Sequence, residues 1–466
     1  MKNTLLFTFL MLIFFGCSAQ DISGEWNGIL KVQGSELRLV LHLTKTVVGY
    51  SATLDSPDQG AKGFPVGSVD FTNNTLKLSM NGLNAEYSGT LGADNIFKGT
   101  FNQNGQSFPL ELSRGVMGAK APLRPQEPQK PYPYYSEDVK FDNASDKVSL
   151  AGTLTLPAKE GNYPVVILIT GSGPQNRNEE LLGHKPFLVL ADHLTRNGIG
   201  VLRYDDRGTA ESTGDFKSAT TRAFASDVES AITYLKTRKD INPKKIGLIG
   251  HSEGGMIAPM VAADSPDVAF IVLLAGPGIP GDQLMVRQTH LINKANGMTD
   301  DVVDQIDVLN RKGYDLLKER SDLRDVKKEI IPILKEAIHL LPANQQPPAD
   351  KTDEYLVNYV NQLISPWFQF LIRYNPAQTL EKVKCPVLAL NGGKDLQVPP
   401  KEDLEGIKRA LEKGGNKNVT VKELPRLNHL FQESVTGSPA EYGKIEQTFS
   451  PMALVEISDW VKQIVK

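Results

Sequence analysis

One stretch constrains this 466-residue chain more than any other. From Lys245 it runs Ile246-Gly247-Leu248-Ile249-Gly250-His251-Ser252-Glu253-Gly254-Gly255. An apolar run that ends in Gly-x-Ser-x-Gly reads as a buried strand that turns sharply into a helix. The turn would hold Ser252 in a strained conformation with its hydroxyl exposed at the top of a sheet. Gly250 and Gly254 suit the crossing of strand and helix, where a side chain would clash. Behind them, Gly255 to Ala263 continues in small and apolar residues as a helix. Its first N–H groups would face any negative charge that develops at Ser252. The five-residue pattern also occurs by chance on surface loops. Here the strand before it and the helix after it supply the required context.

Length favours two or three units. Apolar content of 40%, charged content of 23% and a net charge of −3 fit a globular protein and give no electrostatic case for nucleic acid or an anionic membrane. Residues 1–19 read as a targeting segment, with Lys2 at its start and an apolar core from Leu5 to Phe15. Two outcomes stay open. Cleavage after Ala19 would release the chain to the periplasm or the exterior, and lipidation of Cys17 would tether it. No second long apolar run exists, so an integral membrane protein is not expected. Besides Cys17 the only cysteine is Cys385, which leaves no pair for a disulfide in the mature chain.

Residues 20–115 read as a small all-β barrel or meander of about eight strands, with period-two alternation at Glu36–Leu43, Thr75–Met80 and Ser107–Leu112. The opening Gly24-Glu25-Trp26-Asn27-Gly28 resembles the start of a lipocalin-like sheet. Residues 116–137, rich in proline and tyrosine, read as an extended linker. From 138 to 466 strand-like and helix-like runs alternate. Val165–Thr170, Gly200–Tyr204, Ala269–Gly276 and Val387–Gly392 are apolar enough to be covered on both faces. This predicts an α/β fold with a mainly parallel sheet. Residues 281–378 break the alternation and read as a helical lid insertion, with helical patterns over Asp300–Leu340 and Glu354–Phe370. Trp367 and Phe368 would give it an apolar wall over the site.

A serine hydroxyl needs a base, and the base needs an orienting acid. Of seven histidines, His429 follows a late strand-like run, Val419–Leu424. His42 lies in the β unit, His290 and His339 in the insertion, His184 and His193 after the first central strand, and His251 inside the turn itself. Position and elimination select His429. Asp395 is the carboxylate in the loop right after Val387–Gly392, and the order Ser252, Asp395, His429 fits a strand-borne triad. Two oxyanion donors are expected: the N–H of Glu253, and an N–H after the first central strand, with Ser172 ahead of Gly173.

With those residues in place, the half from Asp138 onward resembles the α/β-hydrolase superfamily. It is similar to bacterial carboxylesterases related to the serine aminopeptidase and prolyl oligopeptidase groups. The resemblance rests on Thr170–Glu179, Arg203-Tyr204-Asp205-Asp206-Arg207-Gly208, Gly250–Gly255, Ser365–Phe368 and Asn391–Pro399. It implies an α/β-hydrolase fold and hydrolysis of short-chain esters. The Arg203–Gly208 segment continues as Thr209-Ala210-Glu211-Ser212 where the group has Val-Gly-x-Ser, which implies a changed loop and a turn-locking role for Arg207.

The leading expectation is an exported serine hydrolase that acts on a small acyl ester through an acyl-enzyme. No cofactor is expected, and no Cys/His cluster or His-Glu-x-x-His pattern points to a metal. An aminopeptidase or amide hydrolase is the alternative. A ligand-binding protein on a degenerate hydrolase scaffold is the third reading. Oligomeric state is open.

Overall fold

In a computed structural model the described residues are 21–466, apart from 33–34, 60, 115–123, 321 and 343–345. The expected leader over 1–19, with Cys17, lies outside them, as do residues 116–123 of the expected linker.

Nine antiparallel strands make up the N-terminal unit, one more than about eight. Each pairs with its neighbours in sequence, except that the first, Gly24–Val32, also pairs with the ninth, Gln106–Ser113. The ladder breaks between the fourth, Ala61–Pro65, and the fifth, Ser68–Thr72. Those two short strands carry few large apolar residues, so alternation marks them weakly. Trp26, Leu41, Leu76 and Phe97 are fully buried inside the curl, with the Trp26 and Phe97 ring centroids 4.6 Å apart.

The second sheet has eight strands: β1 (Tyr135–Asn143), β2 (Val148–Leu156), β3 (Tyr163–Ile169), β4 (Gly200–Tyr204), β5 (Ile241–His251), β6 (Phe270–Leu274), β7 (Val387–Gly392) and β8 (Val419–Leu424). Their order is β1-β2-β4-β3-β5-β6-β7-β8. β2 is antiparallel to both its neighbours, and the other pairings are parallel. The β3, β5 and β6 runs are apolar because helices cover both faces. Val165, Ile167 and Leu248 face one apolar cluster, and Val166, Leu168 and Ile249 the other. This is the α/β-hydrolase architecture. Because β1 starts at Tyr135, the sheet begins three residues ahead of 138.

The helices are α1 (Pro186–Arg196), α2 (Thr221–Lys236), α3 (Gly254–Asp264), α4 (Gly281–Ala295), α5 (Asp300–Glu319), α6 (Leu323–Leu340), α7 (Thr352–Leu363), α8 (Pro366–Arg373), α9 (Pro376–Leu380), α10 (Pro400–Lys413) and α11 (Pro451–Ile464). The insertion between β6 and β7 is therefore helical. Its long Asp300–Leu340 pattern splits where Asp322 caps α6 by accepting the Arg324 N–H. The Glu354–Phe370 pattern splits where Ser365 caps α8, with Pro366 at its first position. Among the described residues no helix is long and apolar enough to cross a membrane.

Residues 124–134 have no regular structure, but they are no free tether. Arg124 donates to the carbonyls of Leu182, Gly183, Gly443 and Ile445 at 2.8–3.3 Å.

Candidate active site

Ser252 follows β5 and precedes α3 with φ of +53°, in the left-handed region that non-glycine residues rarely enter. Its N–H donates to the Leu274 carbonyl at 2.8 Å, which ties the turn to β6. The flanking glycines are steric necessities. A Cβ at Gly250 would lie 1.9 Å from the Gly254 carbonyl oxygen, and one at Gly254 would lie 2.2 Å from that of Ile169.

Asp395 sits in the loop after β7 and is 2% exposed. Its Oδ1 accepts the N–H groups of Gln397 at 2.7 Å and Val398 at 2.9 Å. Its Oδ2 lies 2.8 Å from Nδ1 of His429. With Oδ1 taken up by those two N–H groups, Oδ2 is the oxygen that faces Nδ1 and fixes the ring's orientation. The His429 loop is folded on Asn428, whose Oδ1 accepts the N–H groups of Leu430 and Gln432 at 3.0 Å. Ser252 and His429 line one cavity of about 250 Å³, together with Ser172, Glu253 and Trp367.

The backbone N–H groups of Glu253 and Ser172 have no acceptor among the described residues. The Gly171 N–H is occupied, donating to Glu179 Oε1 at 2.7 Å. Asp206 fixes the Ser172 loop by accepting from Thr170 Oγ1 at 2.7 Å and the Gln175 N–H at 3.0 Å. Burial pushes the Asp206 carboxyl well above the usual carboxylate range against those two hydrogen bonds.

The Glu253 side chain joins the turn to the insertion. Its Oε1 accepts from Thr221 Oγ1 at 2.7 Å and from Trp367 Nε1 at 2.9 Å. Burial raises its pKa, and the hydrogen bonds from Thr221, Trp367 and Ser172 oppose the rise. Trp367 is thus a polar strut as well as a cavity wall. Phe368 is not among the cavity-lining residues. Successive residues on a helix point about 100° apart, so it packs inside the insertion, 5.8 Å from the Tyr314 ring.

The remaining histidines are spread through the fold. His42 meets Asp55, His193 meets Ser458 and His290 meets Asp307, while His339 is exposed at the end of α6. Arg207 turns away from the cavity and grips Asp227 and Asp146. His251 is different: it lines the cavity and contacts both Glu179 and the His429 backbone. Glu179 had no assigned role in the sequence, although it ends one of the segments that carry the resemblance. No local pattern marks a carboxylate whose partner lies 72 residues away.

Sheet order, strained serine turn and helical insertion define an α/β-hydrolase enzyme of the serine hydrolase class. The chain belongs to the X-Pro dipeptidyl-peptidase (S15) family, whose model matches residues 146–407. That span includes Ser252 and Asp395 and ends before His429. Along nearly its whole length the chain is similar to the esterase EstD of Thermotoga maritima, with 25% identity over 446 residues, 95% of this chain and 87% of that one. A putative carboxymethylenebutenolidase of Synechocystis is 31% identical over 143 residues, 29% of this chain and 57% of that one. Among solved structures, the Pyrococcus furiosus esterase Pf2001 aligns with a TM-score of 0.44 and 16% identity over 71% of this chain and 93% of that one.

Proposed function

We propose that this enzyme hydrolyses short-chain carboxylic esters through an acyl-enzyme on Ser252. One observation carries the reading: Ser252, strained at φ +53°, opens into the same cavity as a His429 whose Nδ1 is tied to Asp395. In this reading Nε2 of His429 takes the Ser252 proton as Oγ attacks the ester carbonyl. The N–H groups of Glu253 and Ser172 receive the negative charge on the carbonyl oxygen. His429 then returns the proton to the departing alcohol, and water releases the acid by the same steps. Met256, Leu284, Met285 and Leu371 line the cavity and suit a short acyl chain.

The amide alternative is disfavoured by the state of the cavity's acids. An aminopeptidase needs a carboxylate to hold a free amine. Glu179 and Glu253 line the cavity, but both are already engaged by protein donors. The ligand-capture reading is disfavoured because the interior of the β unit is filled by Trp26, Phe97 and their neighbours. Turnover of p-nitrophenyl acetate, butyrate and palmitate beside aminoacyl p-nitroanilides tests the reading. Short esters should turn over fastest. Anilide turnover of similar size would transfer the enzyme to the amide class. Export is part of the same proposal, supported by the Lys2 and Leu5–Phe15 pattern. The N-terminal residue of protein recovered outside the cytoplasm tests it.

A further inference from the structure

Beside the Asp395–His429 pair lies a second acid–histidine pair that the proposed chemistry leaves unused. His251 is 7% exposed and Glu179 5%. His251 Nδ1 is 2.9 Å from Glu179 Oε1, and its Nε2 is 2.9 Å from the backbone oxygen of His429. A carbonyl holds no proton, so Nε2 donates there. Glu179 Oε1 also accepts the Gly171 N–H at 2.7 Å, so one oxygen ties His251 to the strand end. Burial alone would lower the His251 pKa, but the charge and hydrogen bond of Glu179 and the His429 carbonyl outweigh burial, and the net direction is upward. The His251 ring stands 4.8 Å from the His429 ring. One side chain therefore joins the serine turn, the His429 loop and, through Glu179, the strand end that leads into Ser172.

The turn that carries Glu179 is itself held from outside the catalytic half. Glu179 and Leu182 have φ of +51° and +53°. Two non-glycine residues in the left-handed region within four positions need external support. The Asp58 carbonyl, from the N-terminal unit, accepts the Gly183 N–H at 3.1 Å. Arg124 donates to the Leu182 and Gly183 carbonyls and, on its other side, to those of Gly443 and Ile445. His184 closes the turn onto Thr448 and the Tyr442 carbonyl at 2.9 Å each.

We propose that Glu179 and His251 are positioning residues that hold the His429 backbone and the Gly171–Ser172 strand end in register with Ser252, and that the N-terminal unit and Arg124 act on the active site through the 179–184 turn. This deepens the acyl-enzyme reading and rests on it. The test compares His251→Phe, His251→Gln, Glu179→Gln and Arg124→Ala in the full chain. Three quantities are read: kcat and KM for p-nitrophenyl butyrate, the fraction of Ser252 labelled by a fluorophosphonate, and the thermal midpoint. Displacing a reacting group by about 1 Å costs on the order of 100-fold. His251→Phe and Glu179→Gln should therefore lower kcat per labelled site by roughly 30- to 100-fold, with KM within about 3-fold of wild type. His251→Gln, which can still donate to the His429 carbonyl, should recover part of that loss. Arg124→Ala, which touches nothing in the cavity, should lower kcat per labelled site by about 5-fold. Wild-type kcat per labelled site in all four variants would overturn the proposal, including the case where only the labelled fraction or the thermal midpoint falls. A wild-type protein whose Ser252 takes no label would instead overturn the acyl-enzyme reading beneath it.

Discussion

The Asp395 carboxylate offers Oδ2 to Nδ1 of His429 at 2.8 Å while its Oδ1 is closed off by the N–H groups of Gln397 and Val398. Asp395→Asn tests what that arrangement is for. The amide oxygen must take the Oδ1 position to accept the two N–H groups. Its NH₂ then faces Nδ1, which turns acceptor, and the imidazole proton moves to Nε2, where it cannot receive the Ser252 proton. The expected loss in kcat is about 10³- to 10⁴-fold with folding retained. Ester turnover together with circular dichroism checks it.

Gly254→Ala should be far more damaging than an ordinary helix-start alanine. Its Cβ would sit 2.2 Å from the Ile169 carbonyl oxygen, and backbone cannot yield as a side chain can. The strand–turn–helix would have to open. The variant is expected to lose Ser252 labelling and to unfold at lower denaturant concentration, which urea titration and a fluorophosphonate read separately.

Trp367→Phe keeps an aromatic wall but removes the Nε1–H donor to Glu253. The buried carboxylate oxygen then retains Thr221 as its side-chain donor. Loss of one hydrogen bond to a buried charged group costs about 1–3 kcal/mol. Because the bond spans the turn and α8, the loss should appear as a lower urea midpoint and a raised KM for butyrate.

Asp403 gives a pH signature to stability. It is fully buried at the head of α10, with Oδ1 accepting the Gly278 N–H at 2.6 Å and that of Ile279 at 3.2 Å. Its Oδ2 has no hydrogen-bond partner among the described residues. Burial, reinforced by the charge of Asp395, raises its pKa from 3.8 to about 7 against those two N–H groups. A folded-state pKa above the unfolded one means that the folded protein holds the proton longer. This group's contribution is therefore full below pH ~4 and is lost as pH rises through about 7. Asp403→Asn removes the dependence. Its stability relative to wild type should grow between pH 5 and pH 8, by an amount on the order of 1–3 kcal/mol. Urea unfolding at the two pH values checks the sign.

The positions of Ser252 and Asp395 were legible because each follows a buried, apolar strand, which announces itself by composition; His429 follows the half-exposed Val419–Leu424 and was reached by position and elimination. The mainly parallel sheet was legible for the same reason as Ser252 and Asp395, and the helical insertion from the break in strand–helix alternation over 281–378, whereas the strand order left no mark in the sequence. Glu179 was not legible, because its geometry comes from two left-handed residues and from contacts with Arg124 and Asp58, none of which leaves a periodic trace. The different directions of Trp367 and Phe368 depended on where α8 begins, and Ser365 settles that only once its hydroxyl is seen to cap the Phe368 N–H. The two short strands Ala61–Pro65 and Ser68–Thr72 were hidden by their mostly polar and small residues.

The most direct measurement traps the covalent intermediate. p-Nitrophenyl butyrate is mixed with enzyme, quenched in acid within the first turnover, and the peptides are mapped by mass. The account predicts a butyryl group on the peptide that carries Ser252, and neither acyl peptide nor turnover in Ser252→Ala. An acyl group on another residue, or full turnover in Ser252→Ala, would contradict it.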